Sequence, residues 1–498
     1  MEEKVFIGFA KESITPDKSV NLDGQFYERV SESVETPVFA NVMAIKVGDE
    51  QMIIASCDLM NLMDSLAEDV RAKVKGYKGI DTSKILIHAT HTHTSVGYSA
   101  YYRTKTKVGG GLRVLTQYAE GVKYLEMKAD REAEMGRPEA AEFLAEHIAK
   151  AIKDAWDNLH PAYYQFGFGR AAVGLCRRAV FDDGSAQMWG DTSEANFKEL
   201  EDGTDSGIEM AFIFDEAKKL EGVLLNVACP AQVMGQRSVI SSDYWGKLRI
   251  LLREKFGEDL NVIATCAPAG DLCPRDLTRW VAPETPIKDP NINRPRNIYR
   301  RADPSMFDVN GTWKAAKRIF HEVCDTFEEL PEGGMKNTAC FEHKVMDLPL
   351  PYRKVTLSEY NMAQKAVKDF VASAAGKDIN FEDTAKMHVY AGILARYENQ
   401  QDIDVYPTEV HVARFDDVAI TSSPFELFHN FGNQIRCRSY AAQTFQIQMT
   451  NGYYGYLPTE KAEHGSHYSA YVSSGHVGHE GGDILVRTTV SEINKMFK

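Results

Sequence analysis

Short apolar runs alternating with amphipathic stretches predict an α/β protein with layered mixed β-sheets and flanking helices. Three observations carry that expectation. The apolar runs are rich in Val, Ile and Phe and bounded by turn residues, as strands are. The stretches between them repeat apolar residues every three to four positions, as half-buried helices do. Reactive residue types gather just past the ends of six predicted strands, where α/β sheets bind ligands.

In chain order, strands are predicted at Val38–Val47, Gln51–Cys57, Lys84–Thr90, Tyr163–Gly169, Glu209–Phe214, Gly222–Cys229 and Asn261–Cys266. Cys340–Leu348, Glu409–Phe415, Val418–Ser422 and Thr444–Met449 follow. Ala141–Leu159 reads as a helix, because Leu144, Ile148, Ile152 and Trp156 fall four residues apart on one face. Further helices are predicted at Tyr244–Phe256, Trp313–Phe327, Leu357–Ala374 and Phe381–Tyr397, with a helical run at Phe425–Arg436. No internal repeat is visible. Asp276–Asp308 carries five prolines and little periodicity, and reads as an inserted lid. Ser99–Arg137, with three consecutive glycines at Gly109, Gly110 and Gly111, reads as a second.

Acidic residues outnumber basic ones, 71 to 57, for a net charge of −14. Such a chain repels nucleic acid and anionic lipid, so neither is an expected partner. The eight cysteines include no CxxC pair and fit reduced thiols. The opening MEEKVFIGFAKESITP builds no apolar leader, and no apolar run approaches the ~20 residues of a membrane span. Cytoplasmic location and no membrane span are expected.

The six strand ends lead into Cys57-Asp58, His91-Thr92-His93, Cys229-Pro230-Ala231-Gln232, the CAPAGD turn with Asp271, Pro424-Phe425-Glu426, and TNGYYGY. One polar loop residue means little; six converging loops point to a site. On an extended backbone His91 and His93 share a side, and neutral imidazole is a common zinc ligand. Glu426 offers a further ligand, or simply a negative charge near a helix start. Cys229 and Cys273 read either as ligand or nucleophile, or as buried inert thiols. His464, His467, His476 and His479 form a second cluster, followed by Glu480 and two glycines, and read as a loop.

These elements resemble, in order, the motifs of the neutral/alkaline (non-lysosomal) ceramidases, which are zinc-dependent amidases. The matching stretches are GFAKESITP, Asp58, Thr90-His91-Thr92-His93, Gly270-Asp271-Leu272-Cys273-Pro274, Pro424-Phe425-Glu426, and Asn451 to Tyr456. The resemblance implies a ceramidase-like catalytic domain spanning residues 1–498, with both lids inserted and no C-terminal immunoglobulin-like domain. It implies zinc on His91, Glu426 and Tyr456, with His93, Arg177 and Tyr468 as catalytic residues. Asp271 and Cys273 occupy its GDxSP element. The family's second ligand histidine is replaced by Cys229, leaving a thiolate ligand, approach by Gln232, another divalent metal or no metal as alternatives. Gln25, Asp58, Gln232, His476 and His479 are expected to line the substrate pocket, and Asp58 or Asp271 to hold histidine tautomers.

The expected activity is a zinc-dependent, amidase-like hydrolase. Metal-activated water, its pKa lowered to roughly 7, would cleave an amide or ester in a small polar substrate. His93 would move the proton, while Tyr468 and Arg177 donate to the developing oxyanion. The alternatives are a carbohydrate-active enzyme pairing Glu426 with Asp58 or Asp271, and a non-catalytic binding protein.

Overall fold

The structure is a computed structural model describing residues 2–25, 28–99, 131–278, 308–374 and 381–498. Both predicted lids (99–137 and 276–308) thus lie largely outside the described residues. Alternation along Glu3–Ser13 buries Val5, Ile7 and Phe9, and this strand, absent from the sequence reading, opens the first sheet. The sheet continues through Phe39–Val47, Glu50–Cys57 and Ile85–Ala89. The second runs Tyr163–Arg170, Gly207–Phe214, Leu220–Val227, Asn261–Cys266. The third runs Phe341–Pro351, Val405–Phe415, Val418–Ser422, Gln443–Ile447.

The three sheets share one topology. In each, three strands pair antiparallel in chain order and the fourth pairs parallel with the third. A parallel pair needs a crossover, and each has a helix: Asp64–Val74, Asp243–Phe256 and His429–Arg438. A longer helix follows each fourth strand, at Arg137–Asp157, Asp308–Glu328 and His479–Met496. The unit therefore recurs three times without a visible sequence repeat, because topology needs only apolar alternation and a helical crossover.

One face of every sheet contributes to a common core: Ile7, Ile45 and Ile54 from the first, Ile213, Leu224 and Ile263 from the second, Phe415, Ile420 and Phe445 from the third. The outer faces pack under their own helices in three further clusters. Each crossover helix also sends an arginine to an acid of another unit. Arg71 bonds Glu409 (2.9 and 2.7 Å), Arg249 bonds Asp58 (2.6 and 3.0 Å), and Arg436 bonds Asp205. The ring is cyclic: first unit to third, second to first, third to second. Backbone hydrogen bonds link loops that follow the parallel strands: Thr90 donates to the Cys57 carbonyl, His93 to the Ala231 carbonyl, and Gly270 to the Leu427 carbonyl.

The α/β class with layered mixed sheets holds. The loop reading after His476 does not: His479–Met496 is a helix, with Gly481 and Gly482 in its first turn. Packing explains those glycines, since a Cβ on Gly482 would meet the Phe431 ring at 2.4 Å. The run predicted from Phe425 is instead a two-residue strand, Glu426–Leu427, with the helix starting at His429. Among the described residues, no helix is long and apolar enough to cross a membrane.

Candidate active site

His91 follows the strand Ile85–Ala89 with φ at +63°, the left-handed region that non-glycine residues seldom adopt. The two histidines therefore meet through this turn, not through the strand alternation expected. His91 donates from Nδ1 to the Met60 carbonyl (2.5 Å), and His93 from Nδ1 to the Gly24 carbonyl (2.8 Å). The two Nε2 atoms face one another at 3.3 Å with the rings nearly perpendicular, and in the neutral rings both are left as acceptors. Gly24 has φ at +110°, and a Cβ there would touch His93 at 2.8 Å, so glycine is required. Burial and the neighbouring His91 push the His93 pKa well below its usual value.

The Glu426 carboxylate, 3 % exposed, lies 3.3 Å from His91 Nε2 and accepts the Tyr453 hydroxyl at 2.6 Å. Burial works to raise its pKa, but His91, Arg177 and Tyr453 outweigh it and hold it at about 2. The strand Glu426–Leu427 pairs parallel with Tyr456–Leu457, setting Tyr456 beside Glu426. Gly270 permits this: a Cβ there would stand 2.4 Å from the Glu426 carbonyl. Arg177, 3 % exposed, donates to the Gly270 carbonyl (2.7 Å) and the Tyr456 hydroxyl (3.3 Å). The Tyr468 hydroxyl lies 3.4 Å from that of Tyr456. His91, His93, Glu426, Arg177, Tyr456 and Tyr468 thus form one connected cluster.

Other expected residues stand at its margin or outside it. Gln25 donates to the Gly235 carbonyl, and Gly235 abuts His93. Gln232 is buried with Nε2 unpartnered, and the carbonyl of the preceding Ala231 accepts from the His93 amide. Cys229 does not join. Its thiol donates to the Val173 carbonyl (3.3 Å), and burial raises its pKa well above the usual value. Cys273 likewise donates to the Arg275 carbonyl (3.2 Å), with burial holding its pKa up at about 11 against the pull of Arg177.

Asp58 is not a pocket residue. It is fully buried, forks onto Arg249, and accepts from Thr90 just before His91. Asp271 does hold a histidine, but that residue is His429: its carboxylate accepts from His429 Nδ1 and the His429 amide, both at 2.8 Å. Among the described residues, Asp202, Asp271 and His429 are the one group of three His, Cys, Asp or Glu whose ligand atoms lie within 4.8 Å of one another. The predicted second histidine cluster is dispersed. His476 stacks on Tyr406 at 4.7 Å, and burial near Arg396 lowers its pKa to about 3. His479 pairs with Glu463 (2.9 Å), and His467 accepts from the Met188 amide.

The sequence reading missed Tyr453 and His429 as partners, although Tyr453 lies within the quoted NGYYGY element. The carbonyls of Met60, Gly24 and Gly270 leave no trace in residue type.

No protein-family model and no curated protein matches the chain. Its fold, however, matches solved structures. The neutral ceramidase from Pseudomonas aeruginosa superposes with a TM-score of 0.64 at 16 % identity, over 99 % of this chain and 75 % of that one. A ceramidase complexed with C2 gives 0.62 at 14 %, over 98 % and 74 %. The chain is therefore similar in fold to the neutral ceramidases, as the motif order anticipated.

Proposed function

We propose that the chain is a metal-dependent hydrolase, with zinc as the metal, that cleaves an amide or ester bond in a small polar substrate. One observation carries this reading. Two imidazole Nε2 atoms lie 3.3 Å apart with their Nδ1 protons committed to carbonyls, and a buried carboxylate sits 3.3 Å from one of them. A cation belongs among these lone pairs and this negative charge, a proton on His91 or, with both rings neutral, a metal ion, so the donor set fits a metal. His91, Glu426 and Tyr456 would hold it, and Cys229, occupied as a thiol donor, would not. Bound there, such an ion supplies Lewis acidity toward a carbonyl oxygen and makes a nearby water more acidic.

The chain's own groups do the rest. His93, oriented by the Gly24 carbonyl, takes a proton from water at Nε2 and returns it to the leaving group. Arg177 and Tyr468 donate to the substrate oxygen that gains negative charge, where preorganised donors are most effective in a buried site. The likeness of fold to neutral ceramidase supports a hydrolase, and the whole chain reads as one catalytic domain because three sheets share a core. The paired-carboxylate alternative lacks support, since Asp58 is committed to Arg249 and Asp271 to His429.

Zinc per chain on freshly purified protein tests the reading, with Glu426→Gln, His91→Ala and His429→Gln as variants. About one equivalent is expected, lost in the first two and kept in the third. Loss confined to His429→Gln would move the metal to the Asp202–Asp271–His429 group and overturn the assignment. So would hydrolysis that survives exhaustive chelation.

A further inference from the structure

Arg178 has no task in the chemistry above, yet it is among the most buried charged side chains. It follows Arg177, and neighbours in extended chain point apart. Arg177 reaches the Tyr456 hydroxyl, whereas Arg178 reaches the backbone that carries Tyr468. It forks onto Glu201 through Nε (2.6 Å) and Nη2 (3.0 Å). Nη1 donates to the Tyr468 carbonyl (2.9 Å) and the Ser469 hydroxyl (3.3 Å), and Nη2 to the carbonyls of Ser466 (2.7 Å) and Ala462 (3.3 Å).

The backbone it grips is strained. Ser466, His467 and Ser469 have φ of +62°, +75° and +73°, and none is glycine. Conformations of that kind persist only where the surroundings over-determine them. Arg178 supplies such contacts, with its charge balanced by a carboxylate 5 % exposed. Glu201 itself sits on an acidic segment fastened to the elements around the site: Glu199 pairs with Lys461 (3.0 Å), Asp202 faces His429 (3.9 Å), and Asp205 pairs with Arg436.

We propose that Arg178 and Glu201 are a positioning pair: they hold Ser466, His467 and Ser469 in the positive-φ conformations that set the Tyr468 hydroxyl beside Tyr456. The kinetic consequence rests on the reading of Tyr468 as a donor to substrate; the conformational one stands without it.

The test compares Glu201→Gln, Arg178→Lys, Tyr468→Phe and the double variant Glu201→Gln/Tyr468→Phe in the full chain. Hydrogen exchange over residues 462–471 is expected to quicken by about tenfold or more in Glu201→Gln, with the three sheets unchanged. Zinc content stays at the wild-type level. Tyr468→Phe lowers kcat by about a hundredfold, Glu201→Gln lowers kcat by up to the same factor with KM little changed, and the double variant is no slower than Tyr468→Phe. Unchanged exchange across the segment, or losses in kcat that multiply, would overturn the proposal. If the wild-type chain hydrolyses nothing, the hydrolase reading fails and exchange alone judges the pair. If Arg178→Lys does not fold, Glu201→Gln decides.

Discussion

Replacing His429 by Gln removes one charge from a pair that is almost wholly inside the protein. His429 and Asp271 are each 1 % exposed and share two hydrogen bonds of 2.8 Å. Burial alone would lower the His429 pKa, but Asp271, with Asp202 and Asp205 beyond it, raises it to about 9 from an ordinary 6.5. A shift of that size corresponds to about 3 kcal/mol of stabilisation. Its sign follows from the folded value lying above the unfolded one: the stabilisation is complete below pH 6.5 and is lost as pH rises through 9. Asp271, held below the carboxylate range by His429 against its own burial, adds a loss on the acid side.

Urea unfolding of wild type and His429→Gln, at about pH 6 and about pH 10, reads the effect directly. The variant should be less stable by about 3 kcal/mol at the lower pH and by under about 1 kcal/mol at the higher, where the wild-type imidazole has lost its charge. Both proteins contain the same other titrating groups, so their difference isolates this pair. A difference that does not change with pH, or one already below about 1 kcal/mol near pH 6, would falsify the assignment of a charged His429.

Arg249→Gln strands the Asp58 carboxylate at zero exposure and should cost about 3–5 kcal/mol in the same assay. Lys150→Gln, which removes an exposed ammonium paired with Glu12 and Asp154, should leave the midpoint nearly where it was; equal losses from the two would undo the argument from burial. Gly270→Ala places a methyl 2.4 Å from the Glu426 carbonyl and should cost about 1–3 kcal/mol. It should also reduce zinc content, because the strand carrying Glu426 must shift; full metal content in a stable variant would show that the strand does not set the ligand.

Much of this protein was legible in its residues. Period-two and period-3.6 patterns are local, so the strands Val418–Ser422 and Asn261–Cys266 and the helix Leu357–Ala374 were found within a residue or two of their observed ends. The six strand ends were legible for the same reason, and with them the loops that carry His91, His93, Glu426 and Tyr456. Local reading failed where a pattern admits two causes. Gly481 and Gly482 look like a loop, yet they mark a helix pressed against Phe431, which only packing can reveal.

Partner choice was outside the reach of sequence altogether. Asp58 and Arg249 are 191 residues apart, and Asp271 and His429 are 158 apart. A carboxylate at a strand end has the same spelling whether it faces a pocket, a histidine or an arginine. The tertiary structure decided these cases, because a buried charge must be paired and the fold determines which cation is within reach. It likewise set the Cys229 thiol against the Val173 carbonyl, turned His91 into the left-handed region, and arranged three unlike sequences as one repeated unit around a shared core. The sequence by itself determined the elements and where reactive side chains leave them; the packing of the three sheets determined which of those side chains meet.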